Sequence, residues 1–518
     1  MPRATKSPTK SPTKPKRTKV SPVRRKASSD DITVRMYRHG LGDCFLLRFP
    51  KSTGEGTFNL LIDCGLISVA SNPKDTMLEV VQDLAECTGG HLDVVVMTHE
   101  HWDHVSGFSE QQCQSAFNDF HDIKEVWYAW TEDPSNKLAR KLRAERSSGL
   151  RALAAAQMTL SALSLGVDHA VESERARRVG TLLQFFGIEA GELNGSLSAA
   201  ESSLGKSRKA FEYLANREGV KVRYYDPGSK PITLPGVDGV RVYVLGPPQA
   251  EAMIKRSSPT AKGKEVYELA SEAETGESLR FAFERAAAGT STAGDSDLPF
   301  ESAFCIQPGD PVPEPLRKLM DQTWGAPGQE WRRIENDWTR AVETLALNLD
   351  SHTNNTCLVL AFELIESGRV LLFPGDAQVG NWLSWQDTHW KVRSAAGTEE
   401  TVTGPDLLSR TAFYKVGHHG SHNATLRTQG LEQMTSNELV AFVPVFKEQA
   451  EKNRWHEMPF RPLVKRLQEK TGGRLVFSDR KVKAPKPADL DALDQEDQRA
   501  FLQRLKVENL YYEYSIPL

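Results

Sequence analysis

The order of apolar runs and periodic polar segments along the chain predicts strands that alternate with helices. Short apolar runs predict strands at "ITVRMY", "CFLLRF", "NLLIDCG", "LDVVVMT" and "IKEVWYAW" in the first quarter of the chain. Later strands are predicted at "VRVYVLGPP", "NTCLVLAFEL", "RVLLFPGDA", "TAFYKVG" and "LVAFVPV". Helical periodicity is seen over 76–87 and in "FRPLVKRLQEKTG". This alternation predicts an α/β protein.

Three segments interrupt the alternation. Residues 1–31 repeat the unit SPTK, hold no acidic residue before Asp30 and predict a disordered basic tail. Residues 131–218 are rich in Ala, Leu and Arg and predict a helical insertion, whereas residues 251–342 predict a loop-rich second insertion. A tryptophan-bearing helix is predicted at about 329–347. The remaining segments, 32–130, 219–250 and 343–485, are expected to form one fold, followed by a C-terminal helix and strand over 486–518.

Composition adds limits on location and partners. The 518 residues carry a formal net charge of −3, so only the tail offers a strongly basic surface. The sequence contains no apolar run long enough for a membrane span and no apolar core of a signal peptide. The six cysteines show no CxxC spacing and sit in apolar contexts, which is typical of reduced thiols. We therefore expect a cytoplasmic protein without membrane partners.

The strongest chemical signal is the cluster of metal-ligand side chains in "MTHEHWDH", directly after a predicted buried strand. His99 and His101 are two positions apart, so an extended backbone points both rings the same way, while Asp103 and His104 lie beyond a bend. Acids or histidines follow other predicted strands as well, at Asp63, at Asp376 and over 418–422. Because strand ends at one sheet edge converge, these side chains are expected to meet around metal ions. The alternative is that these histidines lie on an exposed loop, but it does not explain why acids and histidines also follow the later strands.

The chain resembles the metallo-β-lactamase-fold hydrolases in "THEHWDH", "LLFPGDA" and "KVGHHGS". Within them it is most similar to the hydrolase domain of bacterial competence DNA-uptake proteins, through "GLGDCFLLRF", "NNTCLVLAFE" and "WHEMPFRPLVKRLQ". The resemblance covers about 32–127, 219–250 and 343–482, and excludes the tail and both insertions. It implies an αββα sandwich that holds two divalent metal ions, most simply Zn²⁺, with Mn²⁺ as the alternative.

The resemblance also implies a role for each ligand. It assigns one ion to His99, His101 and His352, which lies 24 residues before Asp376. It assigns the second ion to Asp103, His104 and His418, with Asp376 as the bridge. Asp63 is expected to orient the cluster, and Asp43 either closes a turn or supports a ligand from behind.

These assignments predict a hydrolase that uses a dinuclear metal-activated hydroxide. Asp103 is expected to orient the attacking water or accept its proton, and His419 or His456 to protonate the leaving oxygen. A phosphodiesterase or nuclease is the favoured activity, with nucleic acid reaching the metal cleft and the basic tail. Two alternatives stay open: a hydrolase of a lactone, thioester or β-lactam, and a nucleic-acid-binding protein without catalysis.

Overall fold

The structure is a computed structural model, and its described residues form two large sheets flanked by helices. The description covers residues 31–53, 56–67, 72–109, 113–163, 170–189, 205–257, 312–323, 337–394, 397–423, 425–452, 455, 458–479 and 485–518. Within these ranges the prediction of a mixed α/β protein is confirmed. The predicted disorder of the tail concerns 1–31, almost all of which lies outside the described residues, as does much of the predicted insertion over 251–342.

The described strands are, in chain order, β1 (Ile32–Tyr37), β2 (Phe45–Pro50), β3 (Thr57–Ile62), β4 (His91–Val96), β5 (Asp122–Ala129), β6 (Lys221–Tyr225), β7 (Val240–Gly246), β8 (Val359–Leu364), β9 (Arg369–Phe373), β10 (His389–Arg393), β11 (Glu399–Thr403), β12 (Thr411–Lys415), β13 (Val440–Val443), β14 (Leu475–Phe477), β15 (Leu505–Val507) and β16 (Tyr511–Ile516). The first sheet has the order β15-β16-β1-β2-β3-β4-β5-β6, and the second has the order β14-β13-β12-β9-β8-β7. Strands β3 to β6 run parallel, as do β9, β12, β13 and β14.

The described α-helices are α1 (Pro73–Thr88), α2 (Trp102–Val105), α3 (Lys137–Leu163), α4 (Ala170–Leu183), α5 (Lys206–Glu212), α6 (Glu251–Ile254), α7 (Glu314–Thr323), α8 (Asp337–Asn354), α9 (Val379–Ser384), α10 (Gly404–Ser409), α11 (Lys447–Lys452), α12 (Arg461–Thr471) and α13 (Gln495–Arg504). Three of them, α3, α4 and α5, fall in the segment 131–218, for which a helical insertion was predicted. Within the described ranges, no helix has both the length and the apolar character that crossing a bilayer requires.

The two sheets face each other across a central apolar core. Side chains such as Leu47, Leu60 and Val96 from the first sheet meet Leu360 and Phe413 from the second. Because strand side chains alternate, the neighbouring residues of the same strands face outward, where helices cover them. The layers of the described residues therefore run helices, sheet, sheet, helices.

The outer faces have their own apolar clusters. Val95 of the first sheet packs in one cluster with Val80 and Leu84 of α1. Tyr414 of the second sheet shares another cluster with Trp382 of α9. Each sheet is thus packed against helices on its outer face.

Two features differ from the sequence prediction. Strands β10 and β11 form a separate antiparallel hairpin that the sequence did not indicate, because its residues are mostly exposed. Helix α8 continues to Asn354, so that His352 lies in a helix and not in a loop before a strand.

The C-terminal segment adds to the first sheet, since Ile516 of β16 pairs with Ile32 of β1.

The strand directions bring four chain segments to one edge. Asp63 follows β3, the segment from His99 to His104 follows β4, and these two strands are parallel neighbours. Asp376 follows β9 and His418 follows β12, which are parallel neighbours in the second sheet. The carboxyl ends of four strands therefore supply the polar residues that meet between the two sheets.

Candidate metal centre

The ligand-type residues of the "HEHWDH" segment are buried together. His99 and His101 lie in the extended stretch after β4, and Asp103 and His104 lie in the short helix α2. Each of these four residues is at most 1% exposed. Histidines and acids are rarely buried to this extent unless they are paired or bind a cation.

Residues distant in the sequence meet this segment directly. His104 Nε2 lies 3.1 Å from Asp376 Oδ2, and His419 Nε2 lies 2.8 Å from Asp103 Oδ2. Ligand atoms of His99, His104 and Asp376 lie within 4.8 Å of one another, as do those of Asp103, Asp376 and His419. These buried groups could hold a metal ion. The convergence predicted from the strand ends is thus present.

Three histidines have one ring nitrogen already occupied on the side away from the cluster. His104 Nδ1 donates to Asp63 Oδ2 over 2.8 Å, and His419 Nδ1 donates to the carbonyl of Pro444 over 2.6 Å. His99 Nδ1 lies 3.1 Å from Thr98 Oγ1, whose hydroxyl proton goes to Asp63. Each contact fixes the ring so that Nε2 faces the cluster, which is the usual arrangement of metal-binding histidines.

The backbone and Thr98 hold Asp63 in this role. Asp63 is fully buried with a φ of 55°, a left-handed conformation that aspartate tolerates better than most residues. Its Oδ1 accepts the amide of Thr98 over 2.9 Å, while its Oδ2 accepts both the Thr98 hydroxyl and the His104 ring. Asp63 therefore supports the ligands from behind, as the resemblance implied.

Several of the atoms that face the cluster lack hydrogen-bond partners. Buried polar atoms are almost always paired, so such a concentration of unpaired ones needs an explanation. Within the described residues, the unpartnered buried atoms include His99 Nε2, His101 Nδ1 and Nε2, Asp103 Oδ1, His104 Nε2, Asp350 Oδ1 and Asp376 Oδ2. Imidazole nitrogens and carboxylate oxygens are the donors that Zn²⁺ and Mn²⁺ accept. The residues present therefore fit divalent cations.

Electrostatics favour positive charge at the same point. Burial lowers the pKa of His101 to about 3 and the pKa of His99 well below its ordinary value, so both rings are neutral at pH 7 and able to bind a metal ion. Burial also opposes charge on His104, but Asp376 and Asp103 outweigh it and raise the pKa of His104 well above its ordinary value. The carboxylates thus stabilise a cation where His104 Nε2 meets Asp376.

One cation of the protein itself lies within the cluster. The ammonium group of Lys415, at the end of β12, lies 3.1 Å from Asp376 Oδ1 and donates to the carbonyl of Gly375 over 2.8 Å. It also contacts Asp43 Oδ2. Burial raises the pKa of the Asp376 carboxyl, but His104 and Lys415 outweigh this effect and hold that pKa well below its usual range. Lys415 therefore occupies one oxygen of Asp376 and leaves Oδ2 for the cluster.

The two adjacent late histidines have different surroundings. His418 Nδ1 lies 2.9 Å from Ser421 Oγ and 3.3 Å from Gln378 Nε2, and the His418 backbone amide donates to Asp376 over 2.8 Å. The ring of His419, predicted as a proton donor, instead lies with Asp103 and Asp376 in one ligand group. The geometry therefore makes His419 a candidate ligand, whereas the predicted ligand His418 belongs to none of the ligand groups found among the described residues.

The structure directs His352 away from the cluster. Its Nε2 donates to the carbonyl of Lys255 over 3.1 Å, which occupies the nitrogen that a metal would need. The assignment of His352 to the first ion was therefore wrong, because α8 turns this ring away from the cluster. Asp350, two residues earlier, is the residue of α8 that approaches His101. His456, the other predicted proton donor, lies outside the described residues.

The helical insertion forms one wall of the site. Phe186, in the turn after α4, meets the ring of His101 edge-on with centroids 4.8 Å apart. Phe185 lies 5.8 Å from the same ring and stacks on Trp455 at 5.0 Å. Sequence reasoning assigned no position to this insertion, which in fact encloses the ligands.

Ion pairs anchor the same insertion to the "HEHWDH" segment. Arg146 of α3 contacts Glu100 over 2.7 Å, and Arg208 of α5 contacts the other Glu100 oxygen over 3.3 Å. Glu100 lies between the two ligands His99 and His101, so these contacts hold the backbone that carries both rings.

Sequence reasoning missed three residues of the site. Lys415 was the easiest of the three to predict from the sequence. A lysine that ends the apolar run "TAFY" is expected to be buried, and a buried charge needs a partner. Asp350 and Gln378 gave no signal, because single acids and amides are common along any soluble chain.

Comparison with known proteins gives no assignment. No protein-family model matches the chain, and a search of curated proteins found no match. The functional argument therefore stands on the geometry of the site.

Proposed function

We propose that the chain is a metal-dependent hydrolase with the metallo-β-lactamase αββα sandwich, and a phosphodiesterase or nuclease within that class. The observation that carries the proposal is the pair His99 and His104, whose Nδ1 atoms are occupied from behind while their Nε2 atoms, like Oδ2 of the neighbouring Asp376, have no hydrogen-bond partner. A purely structural polar cluster would pair these atoms with each other. The four-layer order and the sheet-edge position of the site agree with this fold.

Some residues of the site would bind the metal ions, and others would orient the attacking water or accept its proton. His99, His104 and Asp376 would hold a divalent cation, which would supply Lewis acidity to a water and to the substrate. Asp103 Oδ1 has no hydrogen-bond partner and is placed to orient an attacking water or accept its proton. The ring of His419 lies against Asp103 Oδ2 and keeps that carboxylate in position. Phe185 and Phe186 shield this chemistry from bulk water.

The substrate proposal rests on two features. The similarity to the hydrolase domain of competence proteins favours a phosphodiester. Trp455, which is only partly buried and stacks on Phe185 beside His418, offers a flat face against which a base can lie. A small carbonyl substrate remains the competing class, since the same ligands serve ester and lactam hydrolysis.

The test is an activity panel on the full chain loaded with Zn²⁺ or Mn²⁺. Bis(4-nitrophenyl) phosphate, single-stranded DNA and RNA represent phosphodiesters, and a lactone, a thioester and a β-lactam represent carbonyl substrates. We expect turnover in the first group, its loss in His104→Ala, and its retention in His389→Ala, which changes an exposed histidine. Turnover confined to the carbonyl group would refute the phosphodiesterase assignment, and no turnover by the metal-loaded chain would refute the hydrolase.

A further inference from the structure

Asp350 is a buried carboxylate beside the candidate ligands. It lies in the last turns of α8, is 7% exposed, and places its Oδ1 3.9 Å from Nε2 of His101. Neither of these two atoms has a hydrogen-bond partner among the described residues. A cation about 2.0–2.2 Å from each ligand atom fits between two atoms at this separation.

The neighbours of Asp350 fix its orientation. Asn354, one turn later on α8, donates its side-chain amide to Asp350 Oδ2 over 3.2 Å. This contact occupies one carboxylate oxygen and leaves Oδ1 toward His101, just as Asp63 occupies the far nitrogen of His104. The unpartnered oxygen is therefore held in place.

Helix geometry explains why Asp350 and not His352 reaches the site. Residues two positions apart on an α-helix point roughly 200° apart around its axis. Since Asp350 faces His101, His352 must face the opposite side, where its ring donates to the carbonyl of Lys255. Only one of the two residues can serve the cluster.

We propose that Asp350 is a protein ligand of the metal ion held by His99 and His101, in place of a third histidine. The inference rests on the proposed function, because it requires that the cluster binds metal. It makes the first ion site richer in oxygen: two imidazoles meet the carboxylates of Asp350 and Asp376. Such a set favours Mn²⁺ relative to Zn²⁺ more than a three-histidine set does.

The test measures metal binding and not activity. Full-length wild type, Asp350→Asn, Asp350→Ala, Asp350→His and His352→Gln are dialysed against Mn²⁺ or Zn²⁺. Bound metal is then counted by plasma mass spectrometry, and affinities are measured by calorimetry. His352→Gln is the matched control, because it changes a half-buried residue of the same helix that faces away. Asp350→Asn is nearly isosteric, and circular dichroism verifies that each variant is folded.

We expect the wild type and His352→Gln to bind two ions per chain with equal affinity. Asp350→Asn and Asp350→Ala should lose one ion or bind it roughly 100-fold more weakly, since loss of supporting residues alone costs about 10–100-fold. Asp350→His should restore binding with a higher preference for Zn²⁺ over Mn²⁺. A wild type that binds no metal would refute the proposed function itself. A wild type that binds two ions, with Asp350→Ala unchanged, would refute only the role of Asp350.

Discussion

Lys415 offers a direct test of how the cluster balances its charge. Its side chain is 2% exposed and its ammonium contacts both Asp43 and Asp376, which are also buried. Lys415→Met keeps much of the side-chain volume but removes the charge, so that both carboxylates lose their shared partner. Breaking a buried ion pair from one side costs about 3–5 kcal/mol in the free energy of unfolding.

A double-mutant cycle separates this pairing from lost packing. Asp43→Asn in the Lys415→Met background removes one of the stranded charges, so we expect the double variant to recover part of the loss. Lys452→Met is the control, because that lysine is 63% exposed and its pair with Glu448 should contribute less than about 0.5 kcal/mol.

The assay is chemical unfolding of metal-free protein followed by tryptophan fluorescence, repeated with Mn²⁺. Because a bound cation supplies positive charge beside Asp376, Mn²⁺ should stabilise Lys415→Met more than it stabilises the wild type. The reasoning is refuted if Lys415→Met unfolds at the same denaturant concentration as Lys452→Met.

Three further predictions concern the same site. Asp63→Asn should weaken metal binding roughly 10–100-fold in calorimetry, because the amide no longer accepts the Nδ1 proton of His104; equal affinity in this variant and in the exposed Asp238→Asn would contradict it. Chelation of metal should lower the free energy of unfolding by about 2.7 kcal/mol for each ion removed, relative to protein held at a hundredfold excess over Kd, and an unchanged melting curve would contradict this. Burial lowers the pKa of His352 to about 4, so the unfolded chain takes up a proton that the folded chain refuses as pH falls from 6.5 toward 4. The free energy of unfolding should therefore decline over that window by up to roughly 3 kcal/mol. In unfolding measured across pH, His352→Gln should show a smaller decline. An equal decline in this variant and the wild type would show that His352 does not titrate as expected.

The sequence predicted the strands of the site well, because each is a short apolar run followed at once by an acid or histidine. Asp63 and His99 follow the parallel neighbours β3 and β4, and Asp376 and His418 follow the parallel neighbours β9 and β12, so each pair of strand ends lies at one edge of its sheet. This inference needs no side-chain detail, which is why it succeeded.

Finer assignments failed where a local conformation decided them. His352 has the spacing of a ligand, but spacing does not reveal that α8 continues through Asn354 and turns this ring away. His418 and His419 are adjacent, and the positive φ of both, 43° and 53°, determines which ring meets Asp103. Contacts over long sequence separations, such as Lys415 with Asp43 or Phe186 with His101, carry no local signal.

The measurement that tests the central claim most directly is anomalous X-ray diffraction from crystals of the full chain grown with Zn²⁺ or Mn²⁺. Data collected at the absorption edge of the metal locate each ion without reference to activity. The account predicts two peaks between the sheets, one within ligand distance of His104 Nε2 and Asp376 Oδ2 and one beside His101. Peaks confined to the surface, or none in a metal-replete crystal, would contradict it.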